Sequence, residues 1–229
     1  MAEYALRVAP PDLVGQIDRH RKQFHQGILA AAKSDPITGP PASTETVAIA
    51  LDPQIRAEVE RAVQAIVGHK SFSQIVFQLG VVSYWVASAS NPLLSMNSGG
   101  TPPPYWQDYL RYLQDASQRF SVLYYGHDRQ VETPNELQDL LQRSLMRRQE
   151  MAPQVAEEYR RIGSFDGAVL FDDRSTAFGV GSLAFSHGVS DVAGVLRYIW
   201  LQAGGADTRR LPSLDKNHLI LVGRGSQSH

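Results

Sequence analysis

SFSQIVFQLGVVSYWVASASNPLL, residues 71 to 94, is the stretch from which the architecture is read. Ser71 and Gln74 have the S-x-x-Q spacing of a capping box, so a helix is predicted to start here. Pro92 has no amide hydrogen and disfavours helical geometry in the residue before it, which stops the helix near Asn91 after about five turns. Ile75, Val76, Phe77, Leu79, Val81, Val82, Tyr84, Trp85 and Val86 leave no wet side, the mark of a helix surrounded by others. Gln74, Gln78, Ser83, Ser88 and Ser90 interrupt the apolar run too often for a membrane span. The segment 72–90 is therefore predicted to be a buried central helix.

Working outward from it, Pro10-Pro11 prepares a helix in which Leu13, Ile17, Phe24 and Ile28 recur at helical spacing through Ala32, and Asp35-Pro36 ends it. Ser34 to Thr44 reads as a loop. Asp52-Pro53 is a helix-starting pair, Ile55, Val59, Val63 and Ile66 form a stripe, and Gly68 suits the left-handed position beyond the helix end. After the central helix, Asn91 to Pro104 is a long Gly/Pro-rich connection. A tyrosine-rich helix follows, with Tyr105, Tyr109, Leu113, Ala116 and Phe120 on one side and Gly126 after its end. Thr133-Pro134-Asn135-Glu136 combines a capping box with proline at the first helical position, and Pro153 is expected to divide that helix from one over Val155–Ile162.

The last long helix is expected from about Arg174 to Ala203. Its Ala177, Gly181, Ala184 and Gly188 form a small-residue face, with the central helix as the expected neighbour. Leu219 to Gly223 is a short extended segment, and 206–229 is an extended C-terminal tail whose end frays. These elements predict an all-α, single-domain bundle over 1–229, with five to seven helices and one lone strand.

Composition fits a globular chain: 229 residues, 43% hydrophobic and 20% charged. A formal net charge of −1 argues against a nucleic-acid or anionic-membrane partner held by charge. With no cysteine, disulfides, thiolate metal sites and cysteine nucleophiles are excluded. MAEYALRVAPPD lacks the basic-then-apolar pattern of a secretory signal, so cytoplasmic residence is the expectation.

Four local patterns have the form of chemical sites, each beside a plainer reading. Gly179-x-Gly181-x-x-Ala184 matches the letters of a dinucleotide fingerprint, but DDRSTAF separates it from the apolar run 168–171, so close helix packing is expected. Ala184-Phe-Ser186-His187-Gly188 approaches the G-x-S-x-G elbow of serine esterases, although its flanks read as helix rather than strand. His187 and Asp191, four apart, form either a metal half-site or an intrahelical hydrogen bond. The basic runs Arg19–Lys22 and Arg147-Arg148 read as solvated helix faces.

LGVVSYWVASASNPLL, residues 79–94, resembles the core helix of the zinc-dependent phospholipase C enzymes, a superfamily shared with single-strand-specific zinc nucleases. That helix has the form L-G-x-x-x-H-Y-x-x-D-x-x-x-P-x-H. Leu79, Gly80, Asn91, Pro92 and Leu93 are similar to its scaffold letters at matching gaps. FHQGILAAAKSD (24–35) resembles the family's early helix ending in a ligand aspartate. PYWQDYLRY (104–112) resembles a segment whose H-x-x-x-E pair falls on Pro104 and Asp108. FDDRSTAFGVGSL and SHGVSDVAGVLRYIWLQAGG resemble the last long helix of bacterial members.

The resemblance implies a phospholipase C-like helical fold with metal ligands at Asp35, Tyr84, Ser88, Leu94, Pro104 and Asp108. Only the two aspartates are competent ligands for zinc, and the family's N-terminal tryptophan and histidine have no counterpart in MAEYALRV. Leucine and proline offer no side-chain donor, and ionising serine or tyrosine to bind metal costs free energy that histidine does not require. The expectation is a metal-free pseudoenzyme without cofactor, in which either Tyr84, Trp85, Ser88 and Asp108 line the old cleft and suit a small amphipathic ligand or a protein partner, or Tyr84 and Leu94 simply fill the former metal cavity and nothing binds there. The alternatives are a residual zinc-dependent phosphodiesterase and a serine esterase using Ser186.

Overall fold

The computed structural model describes residues 1–35, 44–95, 103–125, 131–207 and 220–224, the side chains of 44–50, 95 and 220–224 excepted. Its helices are α1 (Ala2–Leu6), α2 (Pro11–Arg19), α3 (Arg21–Ser34), α4 (Thr44–Val67), α5 (Phe72–Ala89), α6 (Trp106–Ala116), α7 (Pro134–Ile162) and α8 (Thr176–Gln202). Two short strands, β1 (Ser121–Tyr124) and β2 (Ile220–Arg224), make one antiparallel pair with a bulge after Val122. The fold is an all-α single domain, as the apolar patterning predicts. Among the described helices α5 alone has the length and hydropathy to cross a membrane. Here its apolar faces lie against α3, α4 and α8.

α3 and α5 cross in close backbone contact. A Cβ on Gly27 would stand 2.0 Å from the Phe77 carbonyl oxygen, and one on Gly80 would stand 2.1 Å from that of Phe24. Each glycine thus lets the other helix's backbone touch its own, and no residue with a side chain fits at either position. On the α4 side the contact is partly polar: Gln78 donates to the buried Glu58 carboxylate at 2.7 Å.

Several element ends differ from the sequence reading, each for a physical reason. Ser71 is the N-cap of α5, but its hydroxyl meets Ser73 rather than closing a box with Gln74. The first predicted helix is broken at His20, which leaves helical geometry and whose ring stacks on Phe72. Pro53 does not start a helix and Pro153 does not divide two: both lie inside one. An interior proline costs about 3 kcal/mol. Buried Leu51, Ile55, Val59 and Ala62 around Pro53, and Met151, Ala152, Val155 and Tyr159 around Pro153, each repay roughly 1.5–3 kcal/mol for a large side chain. The left-handed residue after α4 is His69, with φ 50°, rather than Gly68.

Phe120 leaves the tyrosine-rich helix and leads into β1, a strand the sequence reading did not find. The extended segment near the C-terminus is real and is its partner, so the strand is not alone. The predicted loop 36–43, the Gly/Pro-rich residues 96–102, Gly126, and 208–219 and 225–229 of the tail lie outside the described residues. The Thr133 capping box is present: Thr133 Oγ1 accepts from the Glu136 amide at 3.3 Å, and Glu136 Oε2 accepts from the Thr133 amide at 2.8 Å.

The small-residue face of α8 meets several neighbours rather than one helix. A Cβ on Gly181 would strike Leu113 and Phe120, and one on Gly188 would strike Met1 before reaching Ser90.

Candidate functional site

The positions that the resemblance aligns with metal ligands fall into two separate hydrogen-bonded groups. In the first, Tyr84 on α5 donates to Asp35 Oδ2 at 2.6 Å, joining the central helix to the end of α3. Burial raises the Tyr84 phenol pKa, the Asp35 carboxylate adds to the effect, and Ser88 pulls weakly the other way. Tyr84 is therefore a fixed, neutral donor. Trp85 packs edge-on against it at 5.4 Å.

In the second group, Asp108 on α6 accepts from the Tyr159 hydroxyl at 2.9 Å and the Ala168 amide at 2.8 Å. It anchors α6 to α7 and to the turn before α8. Leu94 is fully buried in hydrocarbon, and Pro104 is exposed in the turn before α6. Zinc needs three or four N, O or S donors converging at about 2 Å. This donor set does not fit it: each aspartate is committed to a tyrosine. Among the described residues no three His, Asp or Glu side chains gather as a metal group.

Beside Tyr84 and Ser88 the structure holds a cavity of about 340 Å³. Its polar lining comes from Tyr84, Ser88, Ser90, Asn91, Gln114 and Ser117. Leu113, Phe120, Phe185 and Ala184 supply the apolar walls, and the glycine at 181 brings α8 close enough to form its floor. Trp85 and Asp108 do not line it. A mostly apolar cavity of this size with a few fixed polar groups is what a small amphipathic ligand requires.

The remaining candidates lie on α8. Ser186 is buried, accepts from the Leu123 amide at 3.2 Å and donates to the Ser121 carbonyl. Ser190 accepts from the Tyr125 amide at 2.8 Å. The two hydroxyls cover one edge of β1, so Ser186 is a mid-helix tie to a strand, and no strand leads into it. The GxGxxA letters likewise run along α8, after a 3₁₀ turn at Ala168–Leu170 in place of a strand.

His187 and Asp191 do not bond one another among the described contacts. The His187 ring stacks on Tyr125 at 4.5 Å with Nδ1 buried and unpartnered, and burial followed by the field of Arg147 lowers its pKa to about 4. Asp191 accepts from Arg147 at 2.5 Å, from Ser144 at 2.8 Å and from Ser90 at 3.4 Å. Burial raises its pKa, opposed by Arg147 and Ser144.

The structure corrects the reading of Arg147-Arg148 as a solvated face. Arg147 pairs with a buried aspartate, and Arg148 is 2% exposed. The signal was present in the seven-residue spacing of Leu141, Arg148 and Val155, which puts all three on one stripe. No known family model matches this chain, and a search of curated proteins finds no relative.

Proposed function

We propose that the chain is a non-enzymatic binding protein on a phospholipase C-like helical scaffold, a pseudoenzyme whose former metal cleft now takes a small, uncharged amphipathic ligand. One observation carries this reading: the 340 Å³ cavity is lined by Tyr84 and Ser88, two positions where the resembled family places zinc ligands. Tyr84, held on Asp35, presents a fixed phenol, Ser88 and Asn91 add polar groups, and the aromatic rings of Phe120 and Phe185 suit a hydrocarbon body. No cofactor is part of this reading.

The test is titration with a neutral fluorescent naphthylamine probe, comparing the wild type with Ala87→Leu, which adds volume inside the cavity. Saturable binding by the wild type, weakened about tenfold or more in the variant, is expected. Absence of saturable binding, equal affinity in Ala87→Leu, or zinc-stimulated turnover of a chromogenic phosphodiester overturns the proposal.

A further inference from the structure

Arg148 lies on the core-facing stripe of α7 between Ser144 and the buried Met151, Ala152 and Val155. The other buried charged side chains of the described residues each have a hydrogen-bonding partner. Asp35 has Tyr84, Glu58 has Arg61 and Gln78, Glu158 has Arg161, and Asp191 has Arg147. Arg148 has no ion pair or hydrogen bond among the described residues, and its Nε is enclosed without an acceptor. Burial alone acts on its pKa, lowering it to about 10, so the group still carries its charge at neutral pH.

A buried, unpaired cation is strongly unfavourable, and an apolar side chain of similar volume would serve the core better. The position therefore calls for a counter-charge that the described residues do not provide. We infer that Arg148 is the receptor for an oxyanion, a phosphate or carboxylate group brought from outside the chain, held in the fork of its guanidinium. A planar guanidinium offers two parallel N–H donors that match the two oxygens of either group. Arg148 is itself 2% exposed, and an ionic contact is stronger where water is excluded. The site is separate from the 340 Å³ cavity, whose lining does not include Arg148.

The experiment titrates the purified protein with inorganic phosphate and, separately, with acetate, at ionic strength held constant with chloride. It follows calorimetric heat and melting temperature in the wild type, Arg148→Met and Arg148→Lys. The expected result is saturable binding of at least one anion, with a rise of about 3 °C or more in melting temperature. The rise is absent in Arg148→Met and reduced in Arg148→Lys, which keeps the charge and loses the fork. The anion that binds more tightly identifies the source as phosphate or carboxylate. Lack of saturable binding of both by the wild type, or equal binding in Arg148→Met, overturns the inference. Should Arg148→Met fail to fold, equal binding by Arg148→Lys and the wild type overturns it instead.

Discussion

Where α3 crosses α5 the two backbones touch through Gly27 and Gly80, whereas where α5 ends against α7 and α8 it is met by hydroxyls and ions. The first contact is made by removing side chains, and its specificity is steric. The second is made by Ser90, Ser144, Arg147 and Asp191, and its specificity is electrostatic. One helix thus has a side that responds to volume alone and an end that responds to charge and proton concentration. The 340 Å³ cavity opens at the second of these, beside Ser88 and Ser90.

The sharpest break of this comparison is Gly80→Ala. Its new methyl would overlap a backbone carbonyl that cannot move without shifting all of α3, so a loss of about 4 kcal/mol or more is expected in urea denaturation, independent of pH. A loss under about 1 kcal/mol would show that the crossing is loose.

Next in size is Arg147→Met, which leaves the Asp191 carboxylate buried without its cation. A loss of about 3 kcal/mol at neutral pH is expected, and Asp191→Asn in the same background should recover much of it. Additive losses would show that the pair is uncoupled.

The smallest effect belongs to His187→Phe. The folded state depresses the imidazole from 6.5 to about 4, so across that interval the unfolded chain binds more protons. Wild-type stability should fall as pH drops through this window and be fully regained above it. The residue is partly exposed to solvent, so the discounted effect is about 1 kcal/mol. The variant should flatten the pH profile of the denaturation midpoint by that amount, and an unchanged profile would remove His187 from the electrostatic end.

The architecture was legible where a signal is local. The all-round apolarity of 75–86 gave the central helix, and T-P-N-E gave the start of α7. Proline misled at 53 and 153 because its local cost is outweighed by burial on both sides, which periodicity within a short window does not weigh. β1 escaped because its partners are a remote strand and helix hydroxyls, neither of which leaves a mark in SVLY. The glycine crossing escaped because each helix contributes a single contact glycine, while the longer small-residue run on α8 drew the packing reading. Of the site, Tyr84 and Ser88 were found through the resemblance. The Asp35–Tyr84 and Asp108–Tyr159 bonds and the buried Arg148 were not, since they depend on which helices meet.

The β1–β2 pair has a consequence for the order in which the molecule forms. Its two strands are separated in sequence by α7 and α8, so closing it demands a large loop and is slow compared with the local helical contacts. During synthesis, β1 leaves the ribosome long before its mate exists. In that interval the side chains of Ser186 and Ser190, on a helix finished earlier than β2, are the first groups able to occupy its amides. In the finished fold the two hydroxyls seal that border of the strand against pairing with a further strand.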